Sequence, residues 1–211
     1  MYTILISHHP ALGKAPELVT ALRERSEAAN AAGSPHAVVV QMYAKEPTYV
    51  NAIRHESLGA IEDYNQKNAE DPAFAAAARK IGAALDRAQS FSLHENVVTG
   101  QPSAAPNYVR GITFYPALGK GPDLFKALQE RVPAAAATAG CLGAGLLREA
   151  VPEDGMNFTL QTLHASMAGL EEFAQAAQAD KNFQAFQGKI PSLLSGPASQ
   201  RLYRVLLPFP M

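Results

Sequence analysis

Two histidines stand where proton transfer is easiest to arrange. His55 and His164 each directly follow an expected strand, and each precedes a serine, Ser57 or Ser166, by two residues. An imidazole with its ordinary pKa near 6.5 can take a proton from an activated phenol as a general base. The same placement suits an architectural role, with the ring bonded to backbone at a strand–helix junction. Occurrence at both places favours the architectural role, because residues shared by two copies of a fold often maintain that fold.

Side chains two apart on a strand share a face. His55 therefore lies with Tyr49, Asn51 and Ile53, and His164 with Phe158, Leu160 and Thr162. His8 shares a face with Ile4 and Ile6. These residues define the candidate site: His8 and His55 as catalytic groups, and Ile6, Tyr49, Asn51 and His164 as ligand contacts. Phe114-Tyr115 take the place of His8-His9 in the second half, which points to a polar pocket in the first half. His8 and His9 face opposite ways and cannot readily share a metal, and imidazoles alone lack a metal-ligand pattern. No metal is expected. Tyr43, Arg54, His94 and Arg148 fit either a cavity mouth or a solvated strand end, and His36 beside Pro35 reads as a turn residue. Cys141, the one cysteine, excludes an internal disulfide and reads as a small buried residue at a strand start.

The elements that must position these side chains come twice. Pro10 to Arg25 aligns without a gap to Pro116 to Arg131, with eleven of 16 positions identical. His55 to Ile81 aligns to His164 to Ile190, with nine of 27 identical. Self-similarity on this scale reads as a tandem repeat. The offset grows from 106 to 109 between the blocks, and the extra residues fit the Val151–Gly155 stretch. A Pro/Gly/Ser/Ala-rich run over 99–108 reads as a linker. The expected units are 1–98 and 109–211.

Within each unit the pattern reads β-α-β-β-α-β. Tyr2 to His8 and Val109 to Tyr115 are first strands. Helices begin at Pro16 and Pro122, where proline costs nothing because that N–H has no intrahelical partner. Glu17 and Asp123 meet the positive end of the helix dipole. Leu18, Ala21 and Leu22 form an apolar stripe, repeated as Leu124, Ala127 and Leu128. Gly33 and Gly140 suit C-caps. Pro133 falls inside the second copy's helix and predicts a kink or an early break. Two strands follow, Ala37 to Tyr43 and Thr48 to Arg54, then Leu142 to Arg148 and Asn157 to Leu163. Ser57 and Ser166 cap helices that run to Asp71 and Asp180, with a further helical turn or two beyond. The last strands are Ser90 to Val98 and Arg201 to Leu207.

This order is ferredoxin-like, and the fold class is α+β. Helices cover one face of such a sheet and the other face needs a partner. The second copy supplies it, giving two antiparallel sheets packed face to face as a single-chain dimeric α/β barrel.

His55-Glu56-Ser57, His164-Ala165-Ser166 and the later Asp-x-x-Phe of Asp71 to Phe74 and Asp180 to Phe183 resemble the dimeric α/β-barrel superfamily. The resemblance is to its antibiotic-biosynthesis-monooxygenase-like and NIPSNAP-like members. It implies a pocket between sheet and helices, and a cofactor-independent monooxygenase-like enzyme acting on a small aromatic compound. A non-catalytic ligand-binding or assembly module of the same fold is the alternative. Haem-degrading relatives use a tryptophan and a second-helix histidine. This chain has no Trp, and no His between Glu56 and Leu93. No cofactor is expected.

Composition sets the outer bounds. With 47% hydrophobic and 18% charged residues, the chain can bury a core and lacks the make-up of a disordered protein. A net charge of −1 without a basic cluster excludes a nucleic-acid footprint. No apolar run reaches membrane-spanning length, and the start lacks a signal-peptide pattern. The expectation is a cytoplasmic protein with a small aromatic or hydrophobic ligand, able to form a homodimer.

Overall fold

The computed structural model describes residues 1–152 and 155–210. The first half runs β1 (Tyr2–His8), α1 (Ala15–Ala31), β2 (His36–Met42), β3 (Tyr49–His55), α2 (Leu58–Glu70), α3 (Pro72–Ala83) and β4 (Ser90–Thr99). The second runs β5 (Tyr108–Phe114), α4 (Gly121–Ala136), β6 (Gly143–Glu149), β7 (Phe158–His164), α5 (Met167–Ala179), α6 (Lys181–Lys189), a short 3-10 turn (Ile190–Leu193) and β8 (Ser199–Leu207). The strands follow the order β1-β3-β2-β8-β5-β7-β6-β4 in a closed barrel. The fold is α+β and ferredoxin-like, as the sequence leads one to expect. Two compact units divide the chain: Met1–His94 with the residues from Arg204, and Glu95–Tyr203. No helix among the described residues is long and apolar enough to cross a membrane.

In the N-terminal unit β3 is the central strand. It pairs antiparallel with β1, setting Ile6 opposite Asn51 and His8 opposite Tyr49. It also pairs with β2, setting Val38 opposite Asn51 and His36 opposite Ile53. Leu18, Ala21 and Leu22 of α1 pack with Val38, Ile81 and Ala84. In the C-terminal unit β7 plays the same part, with Phe114 opposite Phe158 and Ala144 opposite Thr162. Its core is larger: Phe114, Phe158, Phe173, Leu124, Leu128, Leu146 and Leu160 are all buried in one cluster with Ile190 and Leu193.

The helix starts are capped as their side chains dictate. Ser57 Oγ accepts from the Ala60 N–H at 3.1 Å, and Ser166 Oγ from the Gly169 N–H at 3.0 Å. Asp71 and Asp180 each end one helix and cap the next, accepting from Ala73 N–H at 2.8 Å and Asn182 N–H at 2.9 Å. The segment beyond Asp71 is therefore a full helix of 12 residues, longer than the turn or two expected. Each such cap contributes about 1 kcal/mol.

Two local expectations are corrected. Helix α4 runs on past Pro133 to Ala136, so the early break expected there does not occur. Pro133 and Gln129, whose carbonyl loses its helical partner, lie on the exposed face, where water can take the hydrogen bond, while Val132 and Ala135 on the buried face hold the helix down. His36 is no turn residue. It opens β2 and is fully buried, because the Asn30 side chain takes both of its backbone groups. His36 N–H donates to Asn30 Oδ1 at 2.6 Å, and Asn30 Nδ2 donates to His36 O at 3.1 Å.

Gly140 answers to a close approach. Its φ is +76°, and a Cβ there would meet the Gly169 carbonyl oxygen at 2.1 Å. Only glycine fits such a spot.

Candidate ligand pocket

A cavity of about 570 Å³ lies in the N-terminal unit between the sheet and helices α1 and α3. Its size falls in the range of small-molecule sites. Ile6 and His8 come from β1, Leu22 and Arg25 from α1, Asn51 from β3, and Phe74, Ala78, Ile81 and Gly82 from α3. The loop into β4 adds Leu85 to Gln89, and Phe91 follows. The lining is apolar apart from a few converging polar groups, as a binding site requires.

His8 and Asn51 are the deepest of those groups, each 2% exposed. Gln89 Nε2 lies 3.1 Å from His8 Nδ1, so the amide donates and His8 keeps its proton on Nε2. That Nε2 has no partner among the described residues, and neither does Asn51 Oδ1. Burial first, then the Arg25 charge and His9, push the His8 pKa down to about 4. His8 is neutral at pH 7.

A polar relay backs the pocket. Arg25 donates to Tyr64 Oη at 3.1 Å, Tyr64 Oη lies 3.2 Å from His36 Nε2, and His36 Nδ1 lies 3.5 Å from Asn51 Nδ2. Burial first, then Arg25 and His55, push the His36 pKa down to about 3. The Arg25 guanidinium also lies over the Phe74 ring at 3.9 Å, a cation–π contact.

Of the residues singled out from sequence, His8, Ile6 and Asn51 meet in the cavity. His55, Tyr49 and His164 are not among its lining residues. His55 is buried, with its ring edge against Tyr64 at 5.1 Å, its Nε2 without a partner among the described residues and its pKa lowered by burial. His164 is fully buried in the C-terminal unit. Its Nδ1 lies 2.8 Å from the Gly140 carbonyl, to which only an N–H can donate. Its Nε2 is 2.9 Å from Thr162 Oγ1, and its ring packs against Phe173 at 5.2 Å. His9 lies near Thr48 Oγ1 at 3.4 Å, outside the cavity lining. Arg54 stacks on Phe209, Arg148 pairs with Glu95, His94 bonds Ser92, and Tyr43 is exposed with φ +57°. Cys141 is only partly buried, and burial pushes its thiol pKa up. No cluster of three metal-ligating side chains occurs among the described residues.

Sequence reasoning missed Arg25, Tyr64, Phe74, Gln89 and Phe91 as site residues. The signal was present at one place: Tyr64 aligns with Phe173, so one hydroxyl separates the two units there.

The C-terminal unit fills the equivalent space. Phe114 stands for His8, Leu160 for Asn51 and Phe173 for Tyr64 by alignment, and Ala144 stands for His36 by strand register. All four are buried in the apolar core.

No protein-family model and no curated protein matches the sequence. Solved structures do match. A provisionally named monooxygenase from Fusobacterium nucleatum superposes with a TM-score of 0.78 at 8% identity, over 99% of this chain and 93% of that one. A similarly named protein from Lactobacillus acidophilus gives 0.73 at 10% identity, over 97% and 93%. An anthrone oxidase-like protein gives 0.65 at 15% identity, over 97% and 91%. The chain has the ferredoxin-like barrel fold of these monooxygenase-like proteins. At such identities the likeness speaks for fold alone.

Proposed function

We propose that the N-terminal unit binds a small aromatic compound in this pocket and promotes its oxidation by molecular oxygen without a cofactor. One observation carries the reading: two buried polar atoms, on His8 and Asn51, lack partners and line an otherwise apolar cavity. Buried polar groups without partners cost stability, and a ligand hydroxyl or carbonyl would satisfy them. One neighbour's name, anthrone oxidase-like, favours oxidation of anthrone-like compounds by analogy.

The reaction needs no bound redox group if the substrate itself supplies the electrons. An activated ring methylene and one molecule of oxygen give a ring ketone and one molecule of water. The first proton leaves for a base, and the carbanion's electron pair goes to oxygen. The second C–H bond then breaks as one oxygen atom departs in water. Within the pocket the base is His8, accepting on the nitrogen that is unprotonated once the Gln89 hydrogen bond yields. Asn51 holds the developing enolate oxygen through its N–H once its amide turns from the orientation that leaves Oδ1 unpartnered. His55 acts through Tyr64 as a positioning residue.

Oxygen uptake with a panel of anthrones and quinols tests this. Turnover that His8→Ala lowers by about 10²-fold or more supports it. Ligand binding with no oxygen uptake for any compound rejects the oxidation step. That result supports the second reading, a binding module, which the low pKa of His8 favours, since so weak a base takes protons reluctantly.

We also propose that the chain is a tandem duplication, with its joint in 99–108, allied to the antibiotic-biosynthesis-monooxygenase-like and NIPSNAP-like proteins. The shared order of elements in both halves supports the duplication. A cytoplasmic setting and homodimerisation belong to the same proposal.

A further inference from the structure

We propose that the pocket's ligand is an aromatic acid whose carboxylate pairs with Arg25. The inference rests on the reading of the pocket as an aromatic-binding site and adds the ligand's charge.

The two units carry the same arginine and treat it differently. Arg25 and Arg131 occupy the same step of the aligned blocks in α1 and α4. Each guanidinium lies over a phenylalanine, Phe74 at 3.9 Å and Phe183 at 4.7 Å. In the C-terminal unit Asp180 Oδ2 answers Arg131 at 3.6 Å, and the Arg131 side chain is 5% exposed. Asp71 holds the matching place in the N-terminal unit and caps its helix in the same way. Yet Arg25 forms no ion pair among the described residues. It turns instead to the Tyr64 hydroxyl, an acceptor that Phe173 cannot offer to Arg131.

A guanidinium has five N–H donors, and Tyr64 uses one. The remaining charge borders a cavity with apolar walls, where a cation without a counter-charge is costly and attracts an anion strongly. The other charged groups at the cavity leave Arg25 unanswered. Arg87 is paired with Glu46 at 2.7 Å. Asp86 is exposed, and its N–H is tied to the His9 carbonyl. The fork of an arginine fits a carboxylate in the plane, which is the group the C-terminal unit itself uses. Asn51 suits the same ligand, because its amide can turn to present N–H rather than oxygen. Phe74 and Ile81 offer the apolar surface for the ring.

Calorimetric titration of the full chain with 2-naphthoate and with the neutral 2-naphthamide tests the inference. The acid is expected to bind tighter than the amide by about tenfold, the worth of a charge-assisted contact. Arg25→Gln is expected to abolish that preference, read as the ratio of the acid's affinity to the amide's. If Arg25→Gln does not fold, salt titration of the unaltered protein reads the same contact: the acid's affinity falls as salt rises and the amide's does not. Equal affinity for acid and amide in the unaltered protein overturns the carboxylate inference and leaves the aromatic reading standing. Binding of neither compound overturns both.

Discussion

The Tyr64 hydroxyl lies 3.2 Å from His36 Nε2, and this contact fastens α2 to the start of β2. Removing it by Tyr64→Phe leaves a fully buried imidazole nitrogen without its partner. Such a loss costs about 1–3 kcal/mol, read as a lower urea midpoint with an unchanged slope. The matching Phe173→Tyr is expected to destabilise too, since its hydroxyl would enter a core where Ala144 replaces His36.

Acid should weaken the fold in a defined window. His8 and His36 have folded pKa values near 4 and near 3, against about 6.5 unfolded. Between those values the unfolded chain binds more protons, so stability falls as pH drops below about 6.5 and is level in this respect above it. Urea midpoints from pH 8 down to pH 4 check the sign. A midpoint that rises on acidification would contradict the buried neutral histidines.

Leu22 and Leu128 are both fully buried at matching steps of α1 and α4. Leu22 borders the cavity, whereas Leu128 sits inside the larger cluster. Each change to alanine is expected to cost within about 2–5 kcal/mol, with Leu128→Ala the worse because more neighbours lose contact. Chemical denaturation of the two variants side by side measures the difference.

Asp71 and Asp180 make the same cap, but only Asp180 also holds a buried arginine. Asp71→Ala should cost about 1 kcal/mol. Asp180→Ala should cost more than that, because it also leaves the buried Arg131 guanidinium without its counter-charge at 3.6 Å. Equal losses would mean that the Arg131 pair contributes nothing.

Much of the fold was legible because its signals are local. Alternation in Tyr2–His8, the apolar stripe of Leu18, Ala21 and Leu22, and the capping serines each act within one element. The early break expected at Pro133 does not occur, because proline's penalty depends on which face it occupies and that face is exposed. His36 misled because Gly33, Ser34 and Pro35 signal a turn, while the Asn30 side chain that draws His36 into the sheet leaves no pattern of its own. Of the candidate site, His8, Ile6 and Asn51 follow from strand alternation and lie together. Arg25 escaped notice because it sits in a block that matches the one around Arg131 at eleven of 16 positions, the arginine included. What sets it apart lies in α2, in one hydroxyl on an aromatic ring.

The hollow in the N-terminal unit bears on how the protein breathes. A helix resting on empty volume forfeits dispersion contacts on that side, so small local openings of it cost little. Amide protons of α1 and α3 should then exchange with solvent sooner than those of α4, whose inner face is packed throughout. Such loosening would let a guest reach the cavity without global unfolding.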